Sequence, residues 1–201
     1  MVNESVYLGS LISNNFDTSI EIKRRILTAQ RSYFAIRHLL TSKRISRSAK
    51  LTLKTLIRPV ALYGSESWNM TAADENAIGI FERNNKVLWV IYGPKREGYL
   101  YKSRSNAEFY QLFREADIVK RININRLRWA GHVVRRTVDA PLKWVFQSDF
   151  VDGKRERGQP KKSWKEAVDR DSEALGLGNW QKVPRDRISY RRQLKESMDH
   201  N

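Results

Sequence analysis

Residues 121–136 read Arg-Ile-Asn-Ile-Asn-Arg-Leu-Arg-Trp-Ala-Gly-His-Val-Val-Arg-Arg, and the periodicity of that stretch sets the fold class. At about 100° per residue on an α-helix, Ile118, Ile122, Trp129 and Val133 fall in one narrow sector. Arg121, Arg128 and Arg135 recur every seventh residue and form a second stripe, drifting only ~20° per step. Asn125 and His132 lie between the two stripes. A helix of this kind can bury Trp129 while holding three guanidinium groups in a row toward solvent or a polyanion. The ordinary alternative is a basic, solvated helix edge, so the surroundings have to decide.

Upstream, the pattern stays helical. Thr18-Ser-Ile-Glu21 has the form of a capping box. After it, Ile22, Ile26, Ala29, Tyr33, Ile36 and Leu40 recur at four- and three-residue steps. Ser46 or Ser48 opens a second helix with Ala49, Leu53, Leu56 and Val60 as its apolar face, and Pro59 should kink or end it. Tyr63-Gly-Ser-Glu-Ser-Trp68 is a turn, and Thr71-Ala-Ala-Asp74 caps a third helix carrying Ile78, Phe81, Leu88 and Ile91 before Gly93-Pro94 stops it. Three helices with short connections suggest a compact bundle. Ahead of them, Val6-Tyr-Leu-Gly-Ser-Leu-Ile12 is β-like and reads as a last strand or hairpin.

Between bundle and opening stretch, Lys95–Ser105 reads as a polar, basic linker, and Ser105-Asn-Ala-Glu108 is another capping box before Phe109, Leu112 and Phe113. Downstream, Asp139-Ala-Pro141 breaks the helix and Leu142, Val145 and Phe146 make a short turn or two. Residues 152–163 are the most loop-like stretch, with Gly153, Gly158 and Pro160 among charges. A helix then runs from Ser163 and Trp164 to about Leu175, and a final basic helix holds Arg187, Tyr190, Arg191 and Arg192.

The charge has one sign. The 201 residues hold 38 Lys+Arg against 22 Asp+Glu, a net +16, with 40% hydrophobic residues. That apolar content supports a folded core. Between Thr18 and Pro59 there are eleven basic residues against Glu21 alone, and between Lys95 and Arg136 eleven against four. A field of this size self-repels unless a polyanion screens it, so nucleic acid is the expected partner. A membrane is not, because no run approaches ~18 apolar residues and residues 1–20 carry no signal-peptide pattern. The absence of cysteine excludes disulfides, zinc knuckles, thiol nucleophiles and iron–sulfur ligation. His38, His132 and His200 have no metal-ligand spacing, so no metal is expected. A nuclear or cytoplasmic setting, not secretion, fits.

Five separated phrases recur in an order that resembles a known family: Tyr7-Leu-Gly9; Arg58-Pro59 with Tyr63-Gly-Ser-Glu-Ser-Trp68; Arg126-Leu-Arg-Trp-Ala-Gly-His-Val-Val-Arg135; Arg157-Gly-Gln-Pro160 with Trp164; and Asn179-Trp180 with Asp186-Arg187. They resemble the C-terminal part of the endonuclease/reverse transcriptase polyprotein of non-LTR (LINE-type) retrotransposons. The resemblance covers nearly the whole chain. It implies a mainly α fold: a thumb-like helical bundle, then a second small helical region, with a short β-hairpin remnant at the N-terminus. It divides the chain into an end-of-palm remnant at 1–16, a thumb-like bundle at 17–94, a basic post-thumb region at 95–150, and a basic loop with C-terminal helices at 151–201. The family's thumb grips template–primer, and its C-terminal region is associated with RNA or target DNA.

The family's polymerase holds two Mg²⁺ ions with paired aspartates. This sequence has no Asp-Asp pair; Asp74-Glu75 and Asp169-x-Asp171 sit in helical patterns. The chain is therefore expected to be a non-catalytic fragment without cofactor, Mg²⁺ being implied only for the parent polymerase. The expected phosphate contacts are Arg24, Arg25, Arg31, Lys43, Arg44, Arg47, Arg121, Arg128, His132 and Arg135, with Lys154, Arg155 and Arg157 in the glycine-flanked loop. His132 has no carboxylate or nucleophile spaced to make it a general base, and Trp68, Trp89, Trp129, Trp164 and Trp180 are expected in the core. Partners are RNA or DNA backbone and, on the resemblance, an upstream polymerase domain. The alternatives are an interaction scaffold packing against that absent domain and a translated relic of a dead element.

Overall fold

The computed structural model describes residues 4–14, 17–84, 91–113, 116–137, 139–147, 163–181 and 186–199. It is mainly helical with two small antiparallel hairpins, one of them at the N-terminus. In chain order the elements are β1 Glu4–Tyr7, β2 Ser10–Ser13, α1 Thr18–Thr41, α2 Arg47–Leu62, a 3₁₀ turn Ser65–Ser67, α3 Ala72–Asn84, β3 Lys95–Glu97, β4 Leu100–Lys102, α4 Asn106–Phe113, α5 Ile118–Val134, α6 Pro141–Gln147, α7 Trp164–Ala174 and α8 Arg187–Asp199. They form two compact units: Met1–Gly64 with Met70–Val119, and Ser65–Asn69 with Lys120–Asn201.

The first unit is built on α1, which packs against α2, α3 and β2. The spacing that predicts α1 also predicts its inward face, since Ile22, Ala29, Tyr33 and Leu40 are all buried. Its N-terminus differs. Asp17, not Thr18, is the N-cap and accepts from the Ser19 N–H at 2.9 Å. Glu21 is thereby released from capping and turns to the hairpin, where its carboxylate accepts from the Leu11 N–H at 3.0 Å.

On α2 the helical period is right and the phase is off by one. Ile57, Arg58 and Ala61 are buried while Leu56 is exposed. Arg58 causes the shift: its guanidinium pairs with Glu82 of α3 at 3.1 Å and also donates to the Ala116 carbonyl, so the helix turns that edge inward. The helix continues three residues past Pro59. Proline removes a hydrogen bond to the carbonyl four residues earlier. Here that residue is Thr55, which is exposed, so water can satisfy it.

The β-like N-terminal segment is a hairpin with its own anchorage. Glu4–Tyr7 pairs with Ser10–Ser13, and the turn places Leu8 at φ 46° and Gly9 at φ 81°, the two positive angles a tight primed turn requires. Tyr63, just past α2, donates its hydroxyl to the Leu8 carbonyl at 2.6 Å. Residues 95–102, expected as a linker, instead form a second hairpin, Lys95–Glu97 with Leu100–Lys102. Lys95 and Lys102 converge on Glu97 at 3.2 and 2.7 Å and hold its carboxyl below the usual carboxylate range. The local signal in the sequence is Gly98, which opens the two-residue turn Gly98-Tyr99 at φ 63°.

In the second unit, α5 passes through a core shared with α7 and α8. Ile124, Leu127 and Ala130 pack with Val168, Trp180, Tyr190 and Leu194. Ser163 caps α7 with a full reciprocal box to Glu166. The 3₁₀ turn joins this unit through Asn125, which donates to the Ser65 hydroxyl at 3.5 Å, and through Trp164, whose indole N–H donates to the Glu66 carbonyl at 2.8 Å. Among the described residues no helix is long and apolar enough to cross a membrane.

Candidate nucleic-acid interface

The buried arc of α5 centres on Ala130, which at about 100° per residue lies opposite Arg121 on the helix wheel. Ile122, Ile124, Leu127, Ala130 and Val133 are all buried, and so is Arg126. The sector that remains runs from Arg135 through Arg128, Arg121, His132 and Asn125 to Trp129 at its edge; Arg128 and Trp129 are exposed and the other four are half-buried. The three arginines of the heptad spacing share that sector, Arg128 exposed and Arg121 and Arg135 half-buried.

Trp129 departs from the expectation that it is core. It is 38% exposed, and its ring lies on that of His132, one helical turn on, with centroids 5.3 Å apart and planes inclined at 22°. The physical reason is the width of the buried arc. With α7 and α8 covering the face centred on Ala130, a residue about 100° away sits at the margin. Trp68 and Trp180 are buried and Trp164 is half-buried, whereas Trp144 is exposed. Trp89 lies outside the described residues.

Helix α8 adds to the row. Arg191 is close enough to Arg128 that, after desolvation and Arg121, its charge helps to depress the Arg128 pKa. Arg187 does the same at His132. There burial acts first, then Arg136, Arg135 and Arg187, and together they push the imidazole pKa below its ordinary value. Arg136 Nε donates to His132 Nε2 at 3.2 Å, a geometry that requires that nitrogen to be unprotonated. Arg121 is braced by the Met198 sulfur at 3.2 Å. Among the described residues no carboxylate is ion-paired with Arg121, Arg128, Arg187 or Arg191. Sequence reading placed Arg187 and Arg191 on a basic helix without assigning them to the site. Their four-residue spacing was the available signal.

Two other arginines in this stretch have structural roles. Arg126 is fully buried and ion-paired with Asp171 of α7. Asp169, one turn edge away, accepts from the Trp180 indole at 2.5 Å. The two acids of the Asp169-x-Asp171 pattern thus each anchor a core residue. Asp74 is similarly occupied, accepting from Thr71 and Ser19. Among the described residues no three His, Asp or Glu side chains converge as metal ligands.

In the first unit the expected contacts divide. Arg24 and Arg25 both pair with Glu21, at 3.0 and 2.6 Å, and both donate to the Gly9 carbonyl. Arg25 also lies over the Tyr63 ring, 4.4 Å from its centroid. These two clamp the hairpin turn to α1. Arg31 is exposed on α1, and Lys43 and Arg44 are exposed in the α1–α2 turn. Arg47 opens α2 with its guanidinium 5.7 Å from the Tyr92 ring centroid. Lys154, Arg155 and Arg157 lie outside the described residues.

Comparison with known proteins gives one bearing on origin. Over 193 residues, 92% of this chain, it is 23% identical to an uncharacterized transposon-derived protein of Caenorhabditis elegans, covering 68% of that protein. No family model matches the chain and no solved structure matches it. The chain is similar to a transposon-derived protein along nearly its whole length.

Proposed function

We propose that this chain binds nucleic acid backbone, in the manner of the thumb and post-thumb part of a LINE-type reverse transcriptase. One observation carries the reading: the row Arg121 and Arg128 on α5 with Arg135 just past its end, extended by Arg187 and Arg191 on α8, with no carboxylate paired to Arg121, Arg128, Arg187 or Arg191 among the described residues. Like charges held together in a folded unit raise its energy, and a polyanion that threads between them releases counterions and removes that cost. Similarity to a transposon-derived protein supports the lineage, and the five ordered phrases supply the finer assignment.

The test is a salt titration with labelled oligonucleotides. Five or six phosphate contacts would cost roughly 10³ in affinity between 50 and 200 mM salt. A flat salt response would refute the reading. Primed template with dNTPs and Mg²⁺ should yield no extension, and extension would overturn the assignment as a piece lacking the catalytic centre.

A second reading, a scaffold that docks on a polymerase domain, has its own observation. On α1, Leu27 and Phe34 are exposed seven residues apart, and Phe34 is 63% accessible. Leu27→Ser with Phe34→Ser would raise solubility and leave oligonucleotide affinity unchanged under this reading.

A further inference from the structure

The site on α5 combines two features that charge alone does not require. One is an aromatic ring at the edge of a cation row. The other is a second ring fixing it in place. Trp129 is an exposed large side chain on a helix that otherwise hides its apolar residues, and its neighbours are the exposed Arg128, the half-buried His132 and the exposed Arg136 just past the helix end. The His132 ring backs one face of the indole, and His132 is itself held by the Arg136 hydrogen bond. The indole is thereby pre-oriented, which lowers the entropy lost when something stacks on it.

We propose that Trp129 is a stacking platform for an unpaired base, so that the α5–α8 surface takes single-stranded nucleic acid in preference to duplex. This rests on the backbone-binding reading above. The chemistry separates the two forms. In a duplex each base presents its faces to neighbouring bases, and a side chain reaches only edges and phosphates. In a single strand the faces are free, and recognition proceeds by stacking on aromatic side chains beside a cationic track. From Arg121 to Arg135 the row spans fourteen residue steps, about 21 Å at the helical rise, which is long enough for several phosphates on either side of one stacked base. Nothing in the arrangement reads base identity, so sequence preference is weak.

The experiment uses the full chain, its Trp129→Ala and Trp129→Phe variants, and four probes of equal length: single-stranded RNA, single-stranded DNA, blunt duplex, and an abasic deoxyribose-phosphate strand. Anisotropy titrations are run at one fixed salt concentration and repeated at a second. The wild-type chain should bind at least one of the base-bearing single strands more tightly than duplex or abasic strand. Trp129→Ala should lose about five- to a hundredfold on that strand, the range for one stacked base, with Phe retaining most of it. Duplex affinity and salt slope should stay as in wild type. Equal losses on duplex and single strand, or no loss on either, overturn the platform while steep salt dependence still upholds backbone binding. Weak, salt-independent binding by the wild-type chain instead defeats the reading on which the platform rests.

Discussion

Arg126 and Asp171 form an ion pair sealed from water, with side-chain exposures of 0% and 1%. It ties the middle of α5 to α7 and is flanked by the packed Leu127, Ala130 and Val168. Removing one partner of a buried pair strands the other charge, at a cost of about 3–5 kcal/mol. Arg126→Ala and Asp171→Ala should each lower the unfolding free energy read from urea titrations by that amount. The double substitution Arg126→Leu with Asp171→Leu should recover a large part of the loss, because it removes both desolvated charges together. If the single variants melt like wild type, the pair does not organise this unit.

How far the sequence discloses this molecule is visible in its arginines. Heptad recurrence was enough to find the row Arg121, Arg128, Arg135, because a wheel needs only spacing. It could not tell that Arg126, five residues past Arg121, points into the core, since that depends on an acid 45 residues away in the chain. The same limit applies to Arg58 and Glu82, and it explains why the apolar face of α2 is shifted by one position. Arg24 and Arg25 were legible as charge but not as a clamp, for their shared partner Gly9 sits in a hairpin whose turn the sequence only hinted at. The capping boxes at Thr71 and Ser105 were readable because they are local.

Gly131 has no room for a side chain. An added Cβ would lie 2.6 Å from Tyr190 Cε1 and 3.0 Å from Cδ1. The Tyr190 hydroxyl holds that ring in place by donating to the Leu127 carbonyl at 3.0 Å. Alanine normally gains up to ~1 kcal/mol over glycine inside a helix, whereas overpacking costs about 1–3 kcal/mol. Gly131→Ala should therefore destabilise on balance. Pairing it with Tyr190→Leu should soften the effect, measurable as a non-additive double-mutant cycle.

The two classes of arginine predict opposite phenotypes. Glu21 is buried and serves Leu11, Arg24 and Arg25 at once. Glu21→Ala should cost about 2–4 kcal/mol through the stranded charges and the freed strand N–H, with oligonucleotide affinity of the folded protein unchanged. Arg121→Gln, Arg128→Gln and Arg135→Gln together should do the reverse. Their melting temperature should hold or rise, while the salt slope for a single strand should fall by about 2 units. Chemical denaturation and salt-dependent anisotropy on the same preparations separate the cases, and a triple variant that unfolds would mean the row is structural.

His132 makes stability and binding run in opposite directions with pH. Burial and the charges of Arg136, Arg135 and Arg187 lower its pKa in the folded chain below the ordinary 6.5. The unfolded chain therefore binds the proton first as pH falls. The contribution to stability is complete above pH ~6.5 and is lost as pH drops from there through the lowered folded value. A phosphate placed on the Arg row partly neutralises those cations and brings the His132 pKa back up, so binding takes up a proton. Oligonucleotide affinity should consequently rise between pH 7.5 and 5.5, by at most about tenfold per unit for one proton, over the range in which the melting temperature falls. His132→Gln should flatten both trends. Affinity that falls with pH in the wild-type chain, alongside an unaffected His132→Gln profile, would place the bound phosphates away from this ring.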